Sequence, residues 1–396
     1  MATKRKNKKD KDVLTIFGIL TIIVIIVVAF IYATVNQPIP TKDEKSIAND
    51  ETKEEEIKED KTYSLNMIMV GDALIHSSVY KDAYKDGKYD FTGQIALLKP
   101  IISKYDLAFY NQETILGGTE IGVSDYPTFN SPYEVGDAMI DAGFNMVSLA
   151  TNHTMDRGEQ AVLNSCEYWS KQENVVTAGS YCSKEDREKV NVYEKNNIKY
   201  AFLAYTFGTN GIPIPSGKDY LVNVYDDATA KEDIEAVKDK VDVVIVSMHW
   251  GEEYTNTPTA KQKQQAQYLA DLGVDIIIGH HPHVVEPVTW IDDTLVIYSL
   301  GNMISAQYQD DNYNKMVGLM TSLTITKDIK DDNTTITINN VNNELIYNYY
   351  KNWRNFKVIP FSQLTEEYLS NYKDIYERYS KVVKMYDEDM KVAALS

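Results

Sequence analysis

Six apolar runs of strand length, each closing on a polar cluster, set the strongest constraint on how this 396-residue chain folds. They are Met67 to His76, Leu107 to Glu113, Met146 to His153, Val243 to Glu253, Asp275 to His283 and Leu295 to Asn302. Helix-like stretches lie between several of them, at Ile95 to Lys104, Val135 to Ala142, Glu159 to Ser170, Thr229 to Val241 and Ala260 to Leu272. Apolar strands alternating with helices predict an α/β fold of βαβ units whose sheet is covered on both faces. Ligands of such sheets bind beyond the carboxyl ends of the strands, so each polar cluster falls where a site would form. Downstream, Val317 to Thr326 and Thr334 to Tyr349 are rich in β-branched residues and read as strands of a second sheet. The spacing of Leu364, Tyr368, Tyr372, Ile375 and Tyr379 predicts a helix from Phe361 onward. Two sheets packed face to face with helices outside are expected.

The amino-terminal region has a different character. Val13 to Val35 is uncharged and dominated by Ile, Val, Leu and Phe, and about 20 such residues suffice to cross the ~30 Å hydrocarbon layer as a helix. Lys4, Arg5, Lys6, Lys8, Lys9 and Lys11 precede it, and cations beside a span mark the cytoplasmic flank. A cleaved signal peptide has a shorter apolar region, of about 7 to 15 residues, so an uncleaved anchor is expected. The organisation that follows is a basic cytoplasmic tail over 1–12, a transmembrane anchor over 13–35 and an acidic disordered tether over 36–62. Beyond it lie an extracytoplasmic domain over 63–355 and a carboxyl-terminal helical segment over 356–396. The net charge is −18 even though the tail is basic, which argues against a nucleic-acid partner. The same excess opposes simple capture of a polyanion unless metal ions or a local patch supply positive charge. Cys166 and Cys182 permit one disulfide in an oxidising exterior, and neither stands beside another ligand type.

Histidine sharpens the picture. All six histidines, His76, His153, His249, His280, His281 and His283, occur in the strand-end clusters. Asp72, Glu113 and Asn152 stand with them, so the donor set is imidazole, carboxylate and amide without thiolate, a mixture suited to Mn, Fe or Zn. In Gly279-His280-His281-Pro282-His283, side-chain alternation along a strand would put His281 and His283 on one side and turn His280 away in a supporting role. Asn152 and His153 would diverge, the amide toward a metal and the imidazole toward a substrate. Asp156 either orients His153 or caps the helix starting near Gly158, with capping the simpler assignment. For Arg157 a surface ion pair is the default, and for Asn302 a role in satisfying a turn. Trp250, Glu252 and Glu253 either line the cleft or belong to a loop.

The motifs GDALIH, NQE, LATNHTMDRG, HWGEE, GHHPHV and YSLGN occur in this order over about Leu65 to Ile304, and the series resembles the CapA or PGA-cap family. That family is associated with making or exporting poly-γ-glutamate and is related to calcineurin-like metallophosphoesterases. The resemblance implies a four-layer α/β/β/α sandwich and one or two divalent ions. It also implies that Asp72, Glu113, Asn152, His249, His281 and His283 are the metal ligands, with Glu113 bridging, and that His153 is the catalytic histidine. The chain departs from the phosphoesterase pattern at Leu74, where an Asp-x-His pair would need histidine, and at Glu113, where the bridging residue would be aspartate. The implied role is a single-pass cell-membrane protein working beside a polymer synthase, on an anionic polymer or a small phosphoester. The alternative is a metal-dependent hydrolase of phosphoesters or amide-linked wall polymers.

Overall fold

The computed structural model describes residues 60–308, 313–331 and 333–395. The expected tail, anchor and nearly all of the tether lie outside them. No helix among the described residues is long and apolar enough to cross a membrane.

In chain order the strands are β1 (Lys61–Ala73), β2 (Tyr84–Lys85), β3 (Lys88–Tyr89), β4 (Leu107–Asn111), β5 (Met146–Ser148), β6 (Val176–Ala178), β7 (Tyr193–Lys195) and β8 (Ile198–Thr206). They continue with β9 (Val243–His249), β10 (Ile276–His280), β11 (Val288–Ile291), β12 (Thr294–Ile297), β13 (Asn302–Ile304), β14 (Val317–Lys330), β15 (Asn333–Lys351) and β16 (Arg354–Pro360). Helices of seven residues or more are α1 (Ser77–Ala83), α2 (Glu134–Ala142), α3 (Gly158–Ser170), α4 (Asp227–Val237), α5 (Ala260–Asp271) and α6 (Tyr372–Val383). One sheet has the order β16-β15-β14-β1-β4-β5-β6, with β13 joining the end of β1, and the other has the order β11-β12-β10-β9-β8-β7. The short β2-β3 hairpin stands apart.

The continuous apolar runs are explained by burial on both faces. Leu65, Met67 and Met69 of β1 meet Ile245 of β9 and Ile276 and Ile278 of β10 in the core between the sheets. The alternate residues Ile68 and Val70 pack outward with Val79 of α1 and Val135 and Met139 of α2. On the far side, Val244, Val246 and Ile277 pack under Ile234 of α4 and Leu269 of α5. The layers therefore run helix, sheet, sheet, helix, as expected. Each such aliphatic side chain contributes about 1.5–3 kcal/mol on full burial.

Three expectations change. Val317 to Thr326 and Thr334 to Tyr349 are strands, but they extend the sheet of β1, because β14 pairs antiparallel with β1 from Lys61↔Ile329 to Val70↔Met320. The second sheet places β9 and β10 at its middle and adds β8, an apolar run outside the six expected strands. The carboxyl-terminal segment is α-helical only over α6, with one 3-10 turn at Phe361–Gln363. Residues 356–360 complete β16, and Phe361, Leu364 and Leu369 turn into the inter-sheet core.

Behind the site, the first turn of α5 is closed by a capping box in which the Thr259 hydroxyl accepts from Gln262 N at 3.1 Å and Gln262 Oε1 accepts from Thr259 N at 2.8 Å. Gln262 Nε2 donates to Glu286 Oε2 at 2.6 Å, leaving Glu286 Oε1 buried without a hydrogen-bond partner. Burial pushes this carboxyl up to about 8 from 4.5, against a smaller opposing effect of the Gln262 bond. A carboxyl held above its unfolded value binds its proton more tightly in the folded state, so its contribution to stability falls as pH rises from about 4.5 to about 8. Glu286→Gln is expected to remove that slope. Urea midpoints between pH 5 and 9 should show the variant gaining on the parent by on the order of 3 kcal/mol across the range.

Candidate metal centre

The carboxyl ends of the parallel strands of both sheets converge on one buried cluster. Asp72 lies one residue before the end of β1, Glu113 just beyond β4, Asn152 and His153 beyond β5, His249 at the end of β9, and His281 and His283 beyond β10. Gly71 lets β1 run against Gly301, since a methyl group there would collide with the Gly301 carbonyl. Gly279 serves β10 in the same way against Tyr298 and Trp250.

Glu113 is the hub. Its Oε1 lies 3.7 Å from His249 Nε2 and 3.6 Å from His283 Nε2. On one side, His249 Nε2 is 2.9 Å from Asn152 Oδ1, and the His281 ring centroid is 4.8 Å from that of His249. On the other, His283 Nδ1 is 3.4 Å from Asp72 Oδ2 and 3.2 Å from Asn302 Oδ1. Glu113, His281 and His283 present donor atoms all within 4.8 Å of one another. All six expected ligands are thus brought together.

The donor set fits a divalent cation. Both Glu113 oxygens, Asp72 Oδ2, His249 Nδ1 and His281 Nδ1 are buried with no hydrogen-bond partner, a costly arrangement unless a cation or a proton compensates it. Burial, followed by the nearby Asp72 charge, drives the Glu113 carboxyl well above its ordinary range. Asp72 moves the other way: burial would raise it, but the close approach of His283, the neighbouring His280 and the Asn111 bond together lower it. Burial keeps two of the imidazoles neutral, lowering His249 well below 6.5 and His281 to about 3. Neutral imidazole beside carboxylate is the form that ligates metal.

The route by which His281 and His283 meet differs from strand alternation. β10 ends at His280, and both residues lie in the following loop with left-handed backbone, at φ 100° and φ 61°. Such angles are uncommon outside glycine and typically cost about 1–3 kcal/mol each where the surroundings enforce them. His280 plays the supporting part expected of it, with Nε2 2.7 Å from the Ser247 hydroxyl.

Other residues take roles the sequence reading did not favour. Asp156 is no helix cap; its Oδ2 lies 2.7 Å from His153 Nδ1 and accepts from Phe129 N at 2.7 Å. Arg157 makes no ion pair among the described residues; its guanidinium donates to the carbonyls of Ile121 and Gly122 and to the Ser124 hydroxyl, bracing that loop. Asn302 enters the site itself, its Nδ2 donating to Gln307 Oε1 and Lys315 O at 2.9 Å while Oδ1 faces His283. Trp250 is a core residue donating to Tyr298 O, and Glu252 and Glu253 are exposed. His76 is tied to the backbone of Leu74 and Ala306. Cys166 and Cys182 are free thiols, with the buried Cys166 thiol raised by desolvation and by its neighbour Cys182. A separate cavity of about 850 Å³ shares no lining residue with the cluster, and its Arg187 is committed to Asp233 through bonds of 3.0 and 2.6 Å.

Residues 66–307 match the family described as bacterial capsule synthesis protein PGA_cap. The chain belongs to this PGA_cap family. It is 32% identical over 174 residues to the PGA biosynthesis protein CapA of Bacillus subtilis (strain 168), a match covering 42% of this chain and 44% of that protein. It is 31% identical over 180 residues to the capsule biosynthesis protein CapA of Bacillus anthracis, covering 44% of this chain and 43% of that one. Each match spans less than half the length of the curated relative. Among solved structures, it is similar to the calcineurin-like phosphoesterase YfkN from Bacillus subtilis, with TM-score 0.42 and 12% identity over 81% of this chain and 98% of that chain.

An amide at a strand entry usually reads as turn chemistry, yet Asn302 Oδ1 faces the ring of the candidate ligand His283. Groups that orient a ligating histidine typically contribute 10- to 100-fold to metal affinity. Asn302→Ala is expected to weaken Mn²⁺ or Zn²⁺ binding by about that factor, measured by competition with a chromophoric chelator.

Proposed function

We propose that this PGA_cap protein is anchored in the cell membrane by Val13 to Val35, carries its large domain outside the cytoplasm, and acts in synthesis, assembly or export of poly-γ-glutamate or a related surface polymer. Its cleft holds one or two divalent ions, and its partner is a polymer synthase in the same membrane. The family description and the names of the two CapA relatives support the polymer role. The run of cations followed by an apolar span supports the topology. The observation that carries the metal reading is the buried, unpartnered carboxylate of Glu113 set between His249 and His283. Metal ions would also offset the acid excess that otherwise repels an anionic polymer.

A second reading, hydrolysis of a phosphoester or an amide-linked wall polymer, is favoured by the His153–Asp156 pair. The 2.7 Å contact fixes the orientation and Nδ1 tautomer of His153, leaving Nε2 as the atom that exchanges a proton with a bound group. A bound divalent ion would supply polarisation of the scissile bond and a lowered pKa for water. Phe129 packs edge-on against the His153 ring at 4.8 Å and holds it in place.

Metal analysis of the full-length protein tests the centre. Asp72→Ala combined with His281→Ala is expected to lose metal at least tenfold relative to the parent; a double variant with parental metal content would remove the ligand assignment. His153→Ala should keep its metal. Under the hydrolase reading that variant loses about 10²- to 10⁴-fold in turnover, whereas under the assembly reading surface polymer falls in the Asp72 and His281 variant with no turnover detected in the parent.

A further inference from the structure

Three aromatic side chains from separate segments stand open around the metal cluster. Tyr126 is 74% exposed, Phe207 45% and Tyr254 46%. Single exposed aromatics are ordinary on a protein surface, but these three each reach a ring of the site. Phe207 lies 4.6 Å from the His281 ring and 6.3 Å from that of His249, with the latter pair stacked. Tyr254 stacks at 6.0 Å on His283. Tyr126 is 6.3 Å from Phe129, which meets His153 at 4.8 Å.

Backbone hydrogen bonds tie Phe207 and Tyr254 to the site, and the base of the Tyr126 loop is pinned by its neighbours. Phe207 N donates to His249 O at 3.0 Å. Tyr254 N donates to Pro282 O at 2.8 Å inside the histidine loop, and its backbone is left-handed at φ 67°, an uncommon conformation for a bulky residue. The Tyr126 loop is braced by Arg157 and by Asn130, whose amide donates to the carbonyls of Gly118 and Gly122. Rigid, open aromatic faces recognise ligands at low ordering cost.

We propose that Tyr126, Phe207 and Tyr254 form an aromatic rim that seats a sugar ring whose phosphate or other anionic substituent is held at the metal centre. The anion-holding half rests on the metal reading above. A pyranose offers a flat C–H face to an aromatic ring and hydroxyls to polar neighbours such as Gln307, whose Nε2 donates to Tyr254 Oη at 3.3 Å. Oligo-γ-glutamate has no such face and carries one carboxylate per residue. On this rim those carboxylates would meet Asp125 and Glu253, the chain neighbours of Tyr126 and Tyr254, with Lys315, 5.1 Å from the Tyr254 ring, as a nearby cation. The substrate class indicated is a phosphate-bearing glycan or sugar phosphate.

Titration calorimetry on the full-length protein in detergent with Mn²⁺ tests this, using glucose 1-phosphate, glycerol 1-phosphate and tri-γ-glutamate as probes. Glucose 1-phosphate is expected to bind about tenfold tighter than glycerol 1-phosphate. Phe207→Ala with Tyr254→Ala should abolish that preference at unchanged Mn²⁺ content. Tyr126→Ala, at a position too exposed to matter for folding, should reduce it about threefold. Equal binding of the two phosphates, a preference that survives the double variant, or tighter binding of tri-γ-glutamate would overturn the proposal. Failure of the metal reading is separable: Mn²⁺ would then not bind, while methyl α-glucoside would still bind tighter than glycerol if the rim seats a sugar and would not if the rim idea is wrong.

Discussion

A fully buried carboxylate without a hydrogen-bond donor is the constraint around which this molecule is organised. Glu113 has imidazoles on two sides, and neither of its oxygens has a hydrogen-bond partner. In a low-dielectric interior such a group must take up a proton or face a cation. His249 and His281 do not supply that cation, because burial holds both in the neutral form. The electrostatic gap between them has the charge and the donors to suit a divalent ion.

The sandwich supplies the setting. Parallel strands from both sheets deliver donors to one end, and the two sheets are locked together by a shared aliphatic core. β14 clamps β1 along ten registered pairs, from Lys61↔Ile329 to Val70↔Met320, and so fixes the strand that carries Asp72. Around the donors lies a shell that orients rather than ligates. Asn302 holds His283, Asp156 holds His153, Asn111 holds Asp72 at 2.9 Å, and the Thr151 hydroxyl donates to the Glu113 carbonyl at 2.8 Å. Such contacts set tautomer and direction, which decides whether neighbouring donors can serve one ion.

The acid excess of the chain and the open aromatic rings beside the centre bear on the same question of partner chemistry. An acidic surface repels polyanions at a distance, whereas a metal site and aromatic faces act at contact. A ligand with one anionic group and a flat ring satisfies both conditions more readily than a chain bearing a charge on each residue.

Much of this was legible in the residues alone. The apolar runs announced doubly covered strands, the polar clusters at their ends announced the site, and all six histidines pointed to the same face. Less legible were β8, the return of β14 and β15 to the first sheet, and the parts played by Asn302, Asp156, Phe207 and Tyr254. The sequence by itself determined which donors exist, in what order, and that each would stand at a strand end, because burial of apolar side chains dictates strand position locally. Only the tertiary structure decided which donors meet. Long-range pairing sets strand neighbours, and the left-handed turns at His281 and His283 that aim their rings are stable only where the packed surroundings compensate their backbone strain.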